Sequence, residues 1–77
     1  MVQAYVLVQT EVGKAAGVAE DIRAIPGWVS TDFVTGPYDL IVKVGAQDAE
    51  DLGQLIYTRV QAVPGITRTV TCTVVHV

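Results

Sequence analysis

The chain has 77 residues and a formal net charge of −3, which is the size of one small domain with few isolated cations and a poor partner for nucleic acid. Cys72 and His76 are the only residues of their kinds, so an intramolecular disulfide and a zinc site built from Cys and His are excluded. Although 51% of the residues are hydrophobic, no apolar run reaches the roughly 20 residues of a membrane span, and no signal peptide is recognisable.

The first half of the chain predicts a strand, a helix and two further strands. Residues 3–9 are rich in β-branched and aromatic side chains and predict a strand buried on both faces. Residues 13–25 have apolar side chains at helical spacing before the stop signal Pro26-Gly27. Residues 28–35 and 40–44 predict two strands joined by the turn Gly36-Pro37-Tyr38-Asp39. The apolar stripe of the helix consists of Ala15, Val18, Ala19, Ile22 and Ile25.

The second half predicts another helix and a final strand. Asp48 begins the helix, because its carboxylate can accept hydrogen bonds from first-turn amides, and Pro64-Gly65 ends it. Residues 67–77 alternate in polarity and predict a long strand. The buried stripe of this helix consists of Leu52, Leu55, Ile56, Val60 and Val63.

An internal sequence repeat divides the chain into two similar halves. The segment from Ile22 to Trp28 matches the segment from Val60 to Ile66 at an offset of 38 residues, and each half has the order βαβ. The complete order βαββαβ is that of the α+β ferredoxin-like unit, with a four-stranded antiparallel sheet and two helices on one face. We therefore predict that residues 1–77 form a single domain of this fold.

This architecture leaves the other face of the sheet open. Alternation places Val70, Cys72 and Val74 toward the helices, with Cys72 as a small buried hydrophobe, and the threonines of the last strand on the open face. Either Tyr5 with Leu7 or Val6 with Val8 joins them there. Such a face is too apolar for water. A domain this small, without disulfide or metal, also needs another source of stability, so we expect the open face to pack against a second subunit.

Three short segments resemble the effector-binding (RAM) domain of the Lrp/AsnC regulators over nearly the whole chain. They are the exit Pro26-Gly27-Trp28, the turn Thr35-Gly-Pro-Tyr-Asp-Leu40, and the exit Pro64-Gly65-Ile66 followed by a Thr-rich strand. The resemblance implies dimers that pair through their sheets, assembly into octamers or similar rings, and amino acids bound between dimers. Because the sequence begins at the first strand, it resembles the stand-alone members without a helix-turn-helix. This implies a cytoplasmic amino-acid sensor, or a subunit that associates with full-length regulators.

The candidate ligand-binding residues are Gly36, Tyr38, Asp39, Thr71 and Thr73. Gly36 permits a turn whose amides can meet a ligand carboxylate, and Asp39 can attract an α-amino group. The residues alone favour a plain hairpin turn with Asp39 bonded to its own backbone. The resemblance implies that Gly36 and Asp39 belong to the effector site and that Thr71 and Thr73 match effector-response positions. Strand propensity together with a subunit interface explains the two threonines equally. Tyr38 either lines the pocket or caps the hairpin.

Three functions are compatible with these observations. The preferred one is a non-enzymatic amino-acid-binding and oligomerisation module without metal or cofactor. The second is a small dimeric α+β barrel enzyme resembling cofactor-free monooxygenases, for which only His76, Tyr38 and Asp39 are available. This alternative rests on fold analogy alone. The third is a purely structural assembly partner of full-length regulators. Trp28 is expected to pack over the helix end or at a subunit contact.

Overall fold

A computed structural model describes residues 1–77 as a four-stranded antiparallel sheet with two helices. The strand order across the sheet is β2-β3-β1-β4, which confirms the predicted ferredoxin-like fold. The elements in chain order are β1 (Val2–Thr10), α1 (Ala15–Arg23), β2 (Trp28–Phe33), β3 (Leu40–Ala46), α2 (Ala49–Leu55), a π-helical turn (Ile56–Val60) and β4 (Ile66–Thr73). The longest helix has nine residues, and none is long and apolar enough to cross a bilayer.

The core lies between the helices and the two central strands. Alternate residues of these strands are fully buried because a pleated strand presents every second side chain to the same face. They are Ala4, Val6 and Val8 of β1 and Leu40, Val42 and Val44 of β3. The expectation that β1 is buried on both faces is wrong for the single chain, since Tyr5 on its other face is 42% exposed.

The first helix packs as its apolar spacing predicts. Val18, Ile22 and Ile25 are buried, and the chain leaves the helix through Gly27, which has a φ of 98°. A Cβ at this position would come within 2.5 Å of the Gly45 carbonyl oxygen. At this close approach of the two backbones, Gly45 N donates a 2.8 Å hydrogen bond to Gly27 O. Glycine is therefore required here both by conformation and by space.

Trp28 packs beside α1. Its ring lies 5.6 Å from the guanidinium carbon of Arg23, and its indole Nε1 donates a 2.7 Å hydrogen bond to Thr31 Oγ1. The side chain is half-buried. Of the two expected locations, packing against the helix is the one observed in the single chain.

The second helix begins at the predicted cap and ends differently from the prediction. Asp48 Oδ1 accepts a 2.8 Å hydrogen bond from Asp51 N, while Leu52, Ile56 and Val60 are buried. After Leu55 the helix widens into the π-helical turn, where Gln61 N donates to Ile56 O at 3.1 Å. The predicted stripe therefore packs as one surface although the backbone changes its pitch.

The predicted orientation of the last strand is wrong, and a β-bulge explains why. Ile66 is opposite Thr10 and packs against the core, but Arg68 is opposite Gln9 because Thr67 is an extra residue in the ladder. One extra residue exchanges the two faces for the rest of a strand. Val70 and Cys72 consequently lie opposite Leu7 and Tyr5 on the open face, and Cys72 is exposed. The helix-facing side of β4 instead presents Thr69, Thr71 and Thr73, opposite Val8, Val6 and Ala4.

Of the two pairs of β1 residues expected on the open face, Tyr5 and Leu7 are the pair observed there. Leu7 lies between Ile41 of β3 and Val70 of β4, and Tyr5 is covered by Lys43, whose Nζ is 5.4 Å from the ring centroid. The accessible surface of the chain is 4907 Å², compared with about 4,500 Å² expected for a compact chain of this mass. The excess is consistent with a sheet that has one uncovered face.

Candidate functional site

The β2–β3 loop, residues 34–39, is fastened to the end of β1 by backbone and side-chain hydrogen bonds. Asp39 N donates to Val8 O at 2.9 Å, and Val34 N donates to Asp39 O at 3.0 Å. Gln9 Nε2 donates to Pro37 O at 3.2 Å. These contacts hold both ends and the middle of the loop in place, so its remaining polar groups have defined positions.

The side chain of Asp39 is bonded to a strand distant in the sequence and not to its own turn. Its Oδ2 accepts hydrogen bonds from Thr10 N at 2.8 Å and from Thr10 Oγ1 at 3.2 Å. The other carboxylate oxygen, Oδ1, accepts no hydrogen bond from the protein. Asp39 therefore closes the loop onto β1 with one oxygen and keeps the second available.

A shallow concavity of about 310 Å³ lies between this loop and the open face of the sheet. Two of the predicted binding residues, Gly36 and Tyr38, line it, whereas Asp39 does not. No charged side chain is among its lining residues, so it is a mainly apolar site. We call it the loop concavity; it is lined by Leu7, Val34, Thr35, Gly36, Pro37, Tyr38 and Ile41.

The loop also supplies unpaired backbone donors at the concavity. The N–H groups of Thr35, Gly36 and Tyr38 donate to no acceptor in the protein, and Pro37 has no N–H group. Gly36 has a φ of 148°, a conformation that other residues rarely adopt. Successive free amides in such a turn can bind an anion.

The predicted residues Thr71 and Thr73 lie elsewhere in the chain. They are opposite Val6 and Ala4, and so face the helix side of the sheet, whereas the loop concavity is on the open side. The loop meets β1 at Val8, Gln9 and Thr10, beyond the positions opposite the two threonines. Within a single chain, Thr71 and Thr73 therefore do not join Gly36, Tyr38 and Asp39.

The residues considered for an enzyme are also separated. His76 follows β4, near the start of β1, where Val74 N donates to Gln3 O at 2.9 Å. Asp39 and Tyr38 are at the other end of the sheet, beside the end of β1. No group of three His, Cys, Asp or Glu side chains is placed to hold a metal ion.

Two features of the site were not predicted from the sequence: the apolar residues Leu7 and Ile41 beneath the loop, and the residues of β1 that anchor the loop. Leu7 and Ile41 were recognised as strand residues, but their role depends on which face of the sheet is open. The alternation of side chains in β1 does indicate that Leu7 lies on the same face of the sheet as Tyr5. Nothing local to Thr10 or Gln9 indicates that their partners lie in the β2–β3 loop.

Comparison with known proteins places these features in a family. The model of the Lrp/AsnC ligand binding domain matches residues 3–77. An uncharacterised HTH-type transcriptional regulator of Pyrococcus horikoshii is 39% identical over 54 residues, which is 70% of this chain and 36% of that protein. The chain thus matches only about a third of the length of this relative.

Solved structures have the same fold. The crystal structure of FFRP-DM1 is 37% identical and superimposes with a TM-score of 0.93, covering 97% of this chain and 100% of that one. A transcriptional regulator of Neisseria meningitidis, solved as a complex with L-Met, has a TM-score of 0.81 at 19% identity and covers 97% of this chain and 50% of its own. At that identity the second likeness concerns the fold alone.

Proposed function

The chain belongs to the Lrp/AsnC ligand-binding domain family, and on that premise we propose that it is a non-enzymatic module that binds a free amino acid in the loop concavity. The observation that carries this proposal is the set of three unpaired N–H groups on residues that line a mainly apolar concavity, together with one free carboxylate oxygen on Asp39, which follows the lining residue Tyr38 in the chain. An amino acid has complementary groups, namely a carboxylate, an ammonium and a side chain.

The polar groups of the site divide between the two charges of the ligand. The N–H groups of Thr35, Gly36 and Tyr38 bind the α-carboxylate, since neighbouring free amides of one turn can bind an anion. Asp39 follows Tyr38 in the chain, and its Oδ1 accepts a charge-assisted hydrogen bond from the α-ammonium. The L-Met complex of the Neisseria regulator supports this ligand class for the fold.

The module acts as an oligomer in this proposal. Outside the loop concavity, the open face carries the exposed Tyr5 and the half-buried Val70, and pairing with a second copy would remove this apolar surface from water. Larger rings form from such dimers. Thr71 and Thr73 contribute to a ligand site only if they reach it from a neighbouring chain.

The biological role proposed is amino-acid sensing in the cytoplasm, coupled to transcription. The matched relative is a regulator of the HTH type, so the module either senses alone or joins full-length regulators in mixed assemblies. It has no direct contact with nucleic acid in this scheme, because its few cations are not clustered.

The test is a thermal-shift screen of the purified chain against the common amino acids, with the mass measured by light scattering in the same buffer. A ligand at a hundredfold excess over its Kd stabilises the native state by about 2.7 kcal/mol, which is easily visible in a small domain. A shift with one or more amino acids supports the sensor. If none shifts the transition while an oligomer co-purifies with an HTH regulator, the assembly-partner function replaces it.

A further inference from the structure

We propose that Gln9 and Thr67 are positioning residues of the ligand site. Together they hold the peptide between Pro37 and Tyr38 so that its N–H is presented to the ligand carboxylate. Neither Gln9 nor Thr67 lines the loop concavity. The inference rests on the proposed function, because it explains how one of the three amide donors is kept available for the ligand. It starts from the 3.2 Å hydrogen bond that Gln9 Nε2 donates to Pro37 O.

The Pro37 carbonyl and the Tyr38 N–H belong to one planar peptide unit. The chain contains no cis peptide bond, and in a trans unit the C=O and N–H bonds point in opposite directions. The hydrogen bond that holds Pro37 O against Gln9 therefore turns the Tyr38 N–H away from Gln9. The φ angle of Pro37 is fixed by its ring, so this bond restrains the remaining rotation, about ψ of Pro37.

The other anchors of the loop do not hold this peptide unit. Val34 N donates to Asp39 O, and Asp39 N donates to Val8 O, so these bonds secure the two ends of the loop. The bond from Gln9 reaches its middle and is exposed to solvent. Loss of the Gln9 bond is therefore expected to free the Tyr38 N–H while the loop stays attached to β1.

The side-chain amide of Gln9 has one orientation that satisfies both of its neighbours. Pro37 O can only accept a hydrogen bond, so the amide nitrogen must face it. The amide oxygen then faces Thr67, whose Oγ1 donates to Gln9 Oε1 at 3.0 Å and to Gln9 O at 3.2 Å. The Thr67 hydroxyl thus selects the orientation of Gln9 in which Nε2 reaches the loop.

The β-bulge of β4 supplies the residue that makes this contact. Arg68 is the registered partner of Gln9 and Ile66 is that of Thr10, so Thr67 is additional in the ladder. Gln9 consequently has two neighbours on β4 in place of one. Bulges beside functional sites redirect side chains, and here the additional residue provides the hydroxyl that orients Gln9. The bulge that exchanges the faces of β4 therefore also supports the β2–β3 loop.

Amide NMR spectra of the full chain test the positioning without a ligand. Gln9→Met removes both amide groups, and Thr67→Val removes only the hydroxyl while keeping a β-branched side chain in the strand. Both variants are expected to shift the Tyr38 amide resonance in the same direction. Thr67→Ser keeps the hydroxyl and should retain the wild-type resonance. An unchanged Tyr38 resonance in Thr67→Val overturns the inference, even if Gln9→Met does not fold.

Calorimetric titration with L-methionine, the amino acid in the Neisseria complex, tests the effect on the ligand. Gln9→Met and Thr67→Val are each expected to bind about threefold to tenfold more weakly, the range for one hydrogen bond. The double variant should bind no more weakly than Gln9→Met, because Thr67 acts through Gln9. Additive losses overturn the inference. If the wild type binds neither L-methionine nor any other common amino acid, the proposed function fails, while the Tyr38 resonance still decides the positioning.

The matched control is Thr69→Val, the same change two residues further along β4. Thr69 lies opposite Val8 on the helix-facing side of the sheet, whereas the side chain of Gln9 is on the open side. The Tyr38 resonance and the affinity for L-methionine are expected to stay at their wild-type values. If Thr69→Val weakens binding as much as Thr67→Val does, the loss reflects a general disturbance of β4 and the inference is wrong.

Discussion

The carboxylate of Asp39 accepts both the backbone N–H and the hydroxyl of Thr10, at 2.8 Å and 3.2 Å. Both bonds go to Oδ2, so a single oxygen joins the β2–β3 loop to the end of β1. This contact gives Asp39 a structural role in addition to its proposed role as the hydrogen-bond acceptor for the α-ammonium group of the amino acid. A loss of binding after its removal would therefore be ambiguous without variants that separate the two roles.

Asp39→Asn and Asp39→Ala are expected to separate them. Asn keeps an acceptor for Thr10 N but removes the charge, so the free energy of unfolding should change little while amino-acid binding is lost. Ala leaves Thr10 N–H without its partner and should lower the free energy of unfolding by about 1–3 kcal/mol. Urea denaturation and calorimetric titration measure the two effects. Undiminished binding in Asp39→Asn would remove Asp39 from the ligand site.

Substitution by alanine is expected to change the stability differently at three glycines. Gly27→Ala should be strongly destabilising, because its Cβ would meet the Gly45 carbonyl oxygen at 2.5 Å. Gly36→Ala meets nothing within 4 Å and should incur only the cost of its backbone conformation, about 1–3 kcal/mol. Gly53 is an exposed helical residue with open space around it, so Gly53→Ala should stabilise by about 0.5–1 kcal/mol. Thermal unfolding of the three variants gives their order of stability. An equal loss of stability at Gly27 and Gly36 would contradict the expected order.

The cap of α2 is expected to contribute measurably to stability. Asp48→Ala removes the 2.8 Å hydrogen bond to Asp51 N and should lower the free energy of unfolding by about 1 kcal/mol. Asp48→Asn retains a capping oxygen and serves as the control, with most of the stability kept. If both variants unfold at the same urea concentration as the wild type, the side-chain cap does not contribute significantly to the free energy of unfolding.

Neighbouring residues of β4 should differ in their effect on assembly. Val70→Lys places a charge on the open face, opposite Leu7, and is expected to convert the proposed dimer into a monomer of 8.2 kDa. Thr71→Lys places the same charge on the helix-facing side and should leave the dimer intact. Light scattering measures both masses. The reverse result would mean that β4 has the orientation expected from simple alternation, without the bulge at Thr67.

Cys72 provides a chemical measure of whether the open face is covered. Its thiol is exposed in the single chain, so a second subunit on this face should slow its alkylation. We expect slow labelling of the wild type and fast labelling of Val70→Lys, followed by mass spectrometry at equal protein concentration. The denatured chain gives the unprotected rate, and equally fast labelling of the native wild type would place the subunit contact elsewhere.

Much of the fold followed from local patterns. The helical spacing of Val18, Ile22 and Ile25 predicted the buried side of α1, and Asp48 was recognised as the residue that caps α2. Both signals work because a helix repeats every 3.6 residues and its first amides need acceptors close by in the sequence. The glycine-containing turn likewise marked the loop where Gly36 and Tyr38 line the concavity.

The orientation of β4 required the folded structure. Its alternating sequence favoured Val70 and Cys72 toward the helices, and this was wrong because Thr67 interrupts the ladder with β1. A bulge depends on how two distant strands align, and no periodicity within one of them reveals it. The lining of the loop concavity could not be predicted for the same reason, since Leu7 and Ile41 meet only when β1 and β3 pair.

The sequence by itself determined the order of the elements, the buried sides of the helices and the loop that carries the candidate site, because each depends on residues within a few positions of one another. Tertiary structure decided which residues of β4 share the open face, which oxygen of Asp39 is free, and which side chains line the loop concavity. Those features come from contacts between distant segments, such as the 29 positions that separate Thr10 from Asp39, and they exist only once the strands have paired.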